Sequence, residues 1–382
     1  DTLKVVLSVV EERQPTRVVL DSLSDLHLLA ESPLRYRRQV LALKQFFSRR
    51  SCTVLLQDDR TASAAGDLQV RSIAHGVIQL DHAVKDYGVE RRRLRVVKFR
   101  GRRVTGGMHD YNLVHGGIVV HPRLIAADTR ALTERTQLSS GLPELDQLIG
   151  GGLEEGTSTL VLGPPGTGKS SLAAQFVVAT HARGQKAAIF LFEESISNVL
   201  HRADGLKLPL RAALGSGQLT IQQIDPAELS PGQFSAAVRE AVERGVKMVV
   251  IDSLNGYLNA VPDERFLTTY LHELLTYLGQ HRVVTLLVGV QQGMVGGAMT
   301  SALDASYVAD NVLMLRYFEY DGEIRQAISV FKKRGSAHER TIRAFRLDPQ
   351  GIHVGEVLRG FRGLLTGVPV PTQPRAAAED DA

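Results

Sequence analysis

Between residues 138 and 300 the chain alternates short, wholly apolar runs with longer stretches of mixed polarity. "TLVLG" (159–163), "AAIFLF" (187–192), "LTIQQI" (219–224), "VKMVVIDS" (246–253) and "VVTLLVGV" (283–290) are rich in β-branched residues and read as strands buried on both faces. Between them, "GKSSLAAQFVVATHARG" (168–184) and "SPGQFSAAVREAVERG" (230–245) repeat apolar residues at helical intervals and read as amphipathic helices. Such alternation predicts an α/β fold, a mostly parallel sheet flanked by helices. From residue 311 the strands come closer together, in "NVLMLRYFEYDGEIRQAISVFKKRG" and "IRAFRLDPQGIHVGE", with turn signals at Asp321-Gly322 and near Gly351. Antiparallel hairpins are expected there.

The pattern occurs twice, once incompletely. "RVVLDSLSDL" (17–26) resembles "KMVVIDSLNGY" (247–257), "YRRQVLALKQFFSRRSCTVLLQ" aligns with "FLTTYLHELLTYLGQHRVVTLLVGVQQ", and "SIAHGVIQLDHAVKDYGVERRRLRVVKFRG" aligns with "YVADNVLMLRYFEYDGEIRQAISVFKKRG". Shared order and spacing over so long a stretch mark a tandem repeat. The expected organisation is the C-terminal part of a first domain, without a phosphate loop, over residues 1–125. A linker over 126–137, a complete second domain over 138–360 and a disordered Pro- and Ala-rich tail over 361–382 follow. The opening "LKVVLSVVEERQPTRVVLDSL" reads as the middle of a domain.

Composition narrows the class without deciding it. A length of 382 residues suits two domains, and 45 basic against 41 acidic residues leave a formal charge of +4, too near balance to name a polyanionic partner. Cys52 is the sole cysteine, which excludes an intrachain disulfide framework and a clustered cysteine zinc site and suits a reducing, cytoplasmic setting. No apolar run is long enough to span a membrane.

The chemistry concentrates in the second copy. "GPPGTGKS" (163–170) satisfies G-x-x-x-x-G-K-[ST], follows a strand and opens a helix, the context a phosphate-binding loop requires. The nucleotide-binding segment is accordingly Gly163, Pro164, Pro165, Gly166, Thr167, Gly168, Lys169, Ser170 and Ser171. Backbone amides and the helix N-terminus face the anion, Lys169 is expected to reach the β- and γ-phosphates, and Ser170 is expected to offer its hydroxyl to Mg²⁺. Asp252 ends a buried strand on the edge where open α/β sheets bind ligands and is expected to hold Mg²⁺. Glu193 and Glu194 follow another such strand; one can orient and deprotonate an attacking water or hydroxyl, and Glu194 is also a candidate metal ligand.

"LSSGLPELDQLIGGGLEEGTSTLVLGPPGTGKSSLAAQF", "FEES", "VVIDSL" and "VFKKRGSAHERTIRAF" together resemble the KaiC family of RecA-like ATPases, weakly over 1–125 and strongly from 136 to about 358. The resemblance implies a tandem RecA-like fold assembled as a homo-hexameric ring. ATP lies between subunits, turnover is slow, and the clock proteins of the family add serine/threonine autokinase and autophosphatase activity. It makes Glu193 and Glu194 the catalytic acids, and Lys332 and Arg334 the basic pair that reaches a neighbour's ATP. Lys98 and Arg100 occupy the same places in the first copy, so the chain is expected to build one complete tier of sites and half of another. Of the family's adjacent Ser and Thr phosphoacceptors, Ser306 matches the first and Tyr307 replaces the second, with Thr300 and Ser301 as nearby alternatives. A KaiC-like signalling ATPase with protein partners is the expectation.

A recombination or repair ATPase of the RecA and RadA type, binding nucleic acid through "ERRRLRVVKFRGRR" (90–103), is the alternative. That arginine run carries a single aromatic, Phe99, too few for a base-stacking platform.

Overall fold

In the computed structural model, residues 2–59, 70–84, 88–125, 136–259, 267–291, 307–364 and 370–371 are described. They form two compact units, Asp1–Asp81 with Arg93–Met108, and His82–Arg92 with His109–Ala382.

The first unit opens with α1 (Thr2–Arg13), β1 (Arg17–Leu20), α2 (Leu23–Leu29), α3 (Pro33–Ser48) and β2 (Thr53–Leu56). It also takes most of β3 (Gly76–Ala83) and of β4 (Arg91–Phe99). The Ser32 side chain accepts from Arg35 N and Pro33 occupies the first turn, which starts α3 cleanly. β1 and β2 pair in parallel, Arg17 with Thr53 through Leu20 with Leu56. Strand alternation turns Val18, Leu20 and Val54 towards Val10, Leu43 and Phe47 of α1 and α3. Val19 and Leu55 face the other way and are exposed.

The second unit carries the hairpin of β5 (His109–Val114) and β6 (Gly117–His121), the short pair β7 (Gln137–Leu138) and β8 (Leu153–Glu154), and helix α4 (Pro143–Leu148). The main alternation then runs β9 (Ser158–Gly163), α5 (Lys169–Ala182), β10 (Lys186–Leu191), α6 (Ile196–Gly205), α7 (Leu210–Gly215), β11 (Leu219–Gln223), α8 (Pro231–Glu243) and β12 (Val246–Asp252). It continues through α9 (Leu254–Asn259), α10 (Leu267–Gln280) and β13 (Val284–Val290) to four long strands, β14 (Asn311–Tyr320), β15 (Glu323–Lys333), β16 (Ile342–Asp348) and β17 (Gly351–Val357). All but the hairpin and the short pair join one nine-stranded sheet in the order β11-β10-β12-β13-β9-β14-β15-β16-β17. The strands from β11 to β14 are parallel and those from β14 to β17 antiparallel, as the strand spacing predicts.

Each face of this sheet has its own apolar layer. Leu172, Phe176 and Val177 of α5 pack with Val161, Val250, Leu286 and Leu313 on one side. Phe234 and Val238 of α8, with Leu271 and Leu274 of α10, pack with Leu160, Val249 and Leu287 on the other. The helix α5, expected to be amphipathic, is buried almost all round, because α6, α7 and the last strand β17 pack against it as well as the central strands of the sheet. α8 keeps a polar side and starts in a capping box between Ser230 and Gln233, and Asp110 of β5 accepts a further bond from Gly232 N at 2.9 Å.

Residues 361–364, assigned to the tail from sequence, are packed. β18 (Phe361–Arg362) pairs with β19 (Val370–Pro371), and Leu364 is buried against Phe318 and Ala327. The rest of the expected tail, most of the expected linker, and Thr300, Ser301 and Ser306 lie outside the described residues.

Candidate nucleotide site

The loop from Gly163 to Gly168 joins the central strand β9 to α5. Gly168 is the residue before the helix, with φ +93°, and a Cβ there would lie 2.5 Å from Leu347 Cδ1. Only glycine suits such a position. Thr167 Oγ1 and Lys169 Nζ both donate to the Pro164 carbonyl, at 2.8 and 2.7 Å, so the loop curls around its own lysine. Lys169 is only 6% exposed, and burial pulls its ammonium down to about 8 while Asp252 and Glu193 act in the opposite direction.

The neighbouring strands bring three carboxylates to the same edge. Asp252 closes β12; burial raises its pKa, and a hydrogen bond from Ser170 acts against that. Glu193 and Glu194 follow β10, which pairs directly with β12, so the register that aligns Leu191 with Asp252 brings all three acids to the same end of the sheet. Glu193 accepts from Ser253 Oγ at 2.8 Å, and Ser253 Oγ in turn accepts from Gly256 N at 3.1 Å. A Cβ on Gly256 would come within 2.6 Å of Phe192 Cβ, so the close approach of α9 to the Glu193 segment needs a glycine. Glu194 turns instead to Arg202, at 2.5 Å. Beside the loop, Gln291 N donates to the Gly163 carbonyl, and the buried Gln291 Oε1 has no hydrogen-bond partner among the described residues.

This constellation fits a nucleotide with a divalent ion. The cradle is built of backbone amides and small residues, its lysine is poised on a loop carbonyl that a phosphate can replace, and the Ser170 and Asp252 oxygens are hard donors of the kind Mg²⁺ takes. Ser253, Arg202 and Gln291 did not emerge from the sequence as site residues. Ser253 carries the one available signal, its place directly after Asp252. The others depend on contacts between distant elements.

The structure does not bring Lys332 and Arg334 to this mouth. β15 runs against β14, Val312 pairs with both Lys332 and Leu160, and the basic pair therefore sits level with the start of β9, at the other edge of the sheet. That is two strands across and three residues below Gly163, roughly 10 Å in each direction. Lys332 Nζ donates to the Ala309 carbonyl at 2.6 Å, and Arg334 to the Tyr307 carbonyl at 3.4 Å. In the first unit Lys98 Nζ donates to the Arg71 and Ser72 carbonyls and Arg100 to the Ser72 carbonyl. Ser72 aligns with Tyr307, so both pairs are parked on the same turn of their own copy.

The arginine run is largely engaged by its own fold. Arg91 is buried, Arg92 pairs with Glu90, and Arg95 donates to Gln79. No helix among the described residues is long and apolar enough to cross a membrane.

A central strand, phosphate loop and buried helix, with acids ending two adjacent parallel strands and an antiparallel extension beyond, define a RecA-type P-loop ATPase. The family model described as "ATPase: KaiC" matches residues 2–125 and again 138–359, and the chain belongs to that family. It is 26% identical over 369 residues to the circadian clock protein KaiC3 of Synechocystis sp., covering 95% of this chain and 72% of the relative. It is 24% identical over 363 residues to the circadian clock oscillator protein KaiC of Acaryochloris marina, covering 94% and 69%. The protein of the same name from Synechococcus elongatus is 24% identical over 365 residues, covering 94% and 70%. The chain is thus a KaiC-like ATPase, of a class that binds ATP with a divalent metal ion.

Proposed function

We propose that the chain works as an ATP-hydrolysing homo-oligomeric ring in which each second-copy site is completed by Lys332 and Arg334 of the next subunit. The observation that carries this reading is the placement of that pair at the edge of the sheet remote from its own phosphate loop. A guanidinium and an ammonium delivered from outside would stabilise the charge that develops during phosphoryl transfer and make hydrolysis depend on assembly.

Within the site, Gly163 to Ser171 would wrap the phosphates, with Lys169 exchanging the Pro164 carbonyl for a phosphate oxygen. Ser170 and Asp252 would hold the divalent ion, which when bound neutralises phosphate charge. Glu193, oriented by Ser253, would take the proton of the attacking water.

We assign residues 1–125 to the C-terminal part of a first RecA-like domain, 126–137 to a linker and 138–360 to a complete second domain. Two observations support this. Strand partners lie thirty-six residues apart in both copies, Arg17 with Thr53 and Met248 with Val284. The face of β1 and β2 that holds Val19 and Leu55 also corresponds to the face of β12 and β13 that α5 buries, through Val250 and Leu286.

A mixing experiment tests the ring. Lys169→Ala subunits lack a working loop, and Lys332→Ala/Arg334→Ala subunits lack the basic pair. Each alone should be inactive, and co-assembled they should regain a measurable share of ATP turnover. Co-assembly without recovery would overturn the proposal. Incubation with γ-labelled ATP and mapping of Thr300, Ser301 and Ser306 decides whether autophosphorylation belongs to the same activity. Tyr307, in place of the second acceptor, is 74% exposed.

A further inference from the structure

The three acids at the mouth have been given three different partners: Asp252 the Ser170 hydroxyl, Glu193 the Ser253 hydroxyl and Glu194 the Arg202 guanidinium. We propose that Arg202 is a positioning residue for ATP hydrolysis. By gripping Glu194 it holds that carboxylate away from the metal and the attacking water, and leaves Glu193 as the single working base. The inference rests on the nucleotide reading of the site given above.

Local geometry explains how the division arises. Ser195 caps α6, with φ −75° and ψ 150°, and its side chain accepts from Asn198 N. Seven residues on from a cap is close to two full turns, so Arg202 returns to the azimuth of the helix entrance and meets Glu194 there. Glu193 and Glu194 precede the cap as neighbours in irregular chain, and their side chains diverge, one to Ser253 at the end of β12 and the other to α6.

Without the arginine, Glu194 would be a second free carboxylate one residue from the base, beside a site built for a divalent cation. A mobile anion there would compete for the ion and for the water. A charge-assisted contact is strong enough to prevent this, and the pair is partly shielded, with side chains 33% and 27% exposed.

Mn²⁺ binding in the presence of ADP and steady-state ATP turnover are measured on the whole chain. Arg202→Ala should tighten Mn²⁺ binding by about fivefold, since it leaves a freed carboxylate near the ion. It should lower kcat about tenfold while KM for ATP stays within about twofold. Arg202→Lys should restore most of both. Adding Glu194→Gln to Arg202→Ala should bring both quantities close to those of Glu194→Gln alone, because the harm comes from the released acid. Unchanged Mn²⁺ affinity in Arg202→Ala, or strictly additive losses in the double variant, would overturn the proposal. If the unaltered chain binds Mn²⁺ and ADP without hydrolysing ATP, the ATPase reading falls and the Mn²⁺ shift still decides the role of Arg202. If it binds neither, both fall.

Discussion

Val19 and Leu55 in the first copy hold the places of Val250 and Leu286 in the second, yet the first two are 56% and 58% exposed and the second two 1% and 0%. The same holds along β3, where Ile78 and Leu80 are exposed and the matching Leu313 and Leu315 of β14 are buried. The second copy places β9 between β13 and β14 and lays α5 over the face, whereas in the first copy β2 and β3 belong to separate sheets. One apolar pattern therefore serves two ends, and on this face of the second copy the cover comes with β9, its loop and α5. That element supplies both the cover for the core and the cradle for phosphate, so fold and chemistry are gained together.

The sharpest way to break this comparison is to disable the loop. Lys169→Ala should abolish binding of a fluorescent ATP analogue to the whole chain, a loss of at least about a hundredfold. Retained binding would mean that the first copy holds nucleotide by itself. Core truncation should then separate the copies. Leu286→Ala should cost about 2–5 kcal/mol, whereas Leu55→Ala should stay within about 0.5 kcal/mol. Urea unfolding followed through amide exchange in β13 and β2 reads the two separately, and equal losses would show that the first-copy face is covered in solution.

Among the basic pairs of residues 1–382, Arg334→Ala should lower turnover about tenfold or more and Arg100→Ala should leave it within about twofold, because the phosphate loop of this stretch lies in the second copy. The titration of Lys169 gives a smaller effect. Its folded-state value of about 8 is depressed from 10.5, so keeping it charged in the fold costs free energy below about 8, and that cost fades as pH rises towards the ordinary lysine value. ATP binding to the free protein should correspondingly weaken as pH rises through about 8, and calorimetry across that range checks the direction. The smallest effect is expected at Asp110, whose replacement by Ala removes one bond to the first turn of α8 and should cost about 1 kcal/mol of stability there.

Much of the second copy could be read in advance because its signals are local. Gly163 to Ser170 is a contiguous loop, and Asp252 ends a run whose apolar continuity already says that it is buried. The hairpins from Asn311 announced themselves by turn residues and spacing. Burial of α5 almost all round was not legible from its amphipathic spacing, because part of its cover comes from α6, α7 and β17, elements further along the chain. The packing of Leu364 was hidden for the same reason, since Phe318 and Ala327 lie far back in the chain.

By itself the sequence determined the repeat, the α/β class, the phosphate loop and the residues that can meet a phosphate, since each is written in neighbouring positions or in a period of the backbone. The division of Glu193 from Glu194, and the distance of Lys332 and Arg334 from their own loop, were decided only by the tertiary structure. Strand order and register bring residues from β10, β12 and α6 to one edge and send the end of β15 to the other. Those are relations between elements far apart along the chain, and no local pattern of polarity encodes them.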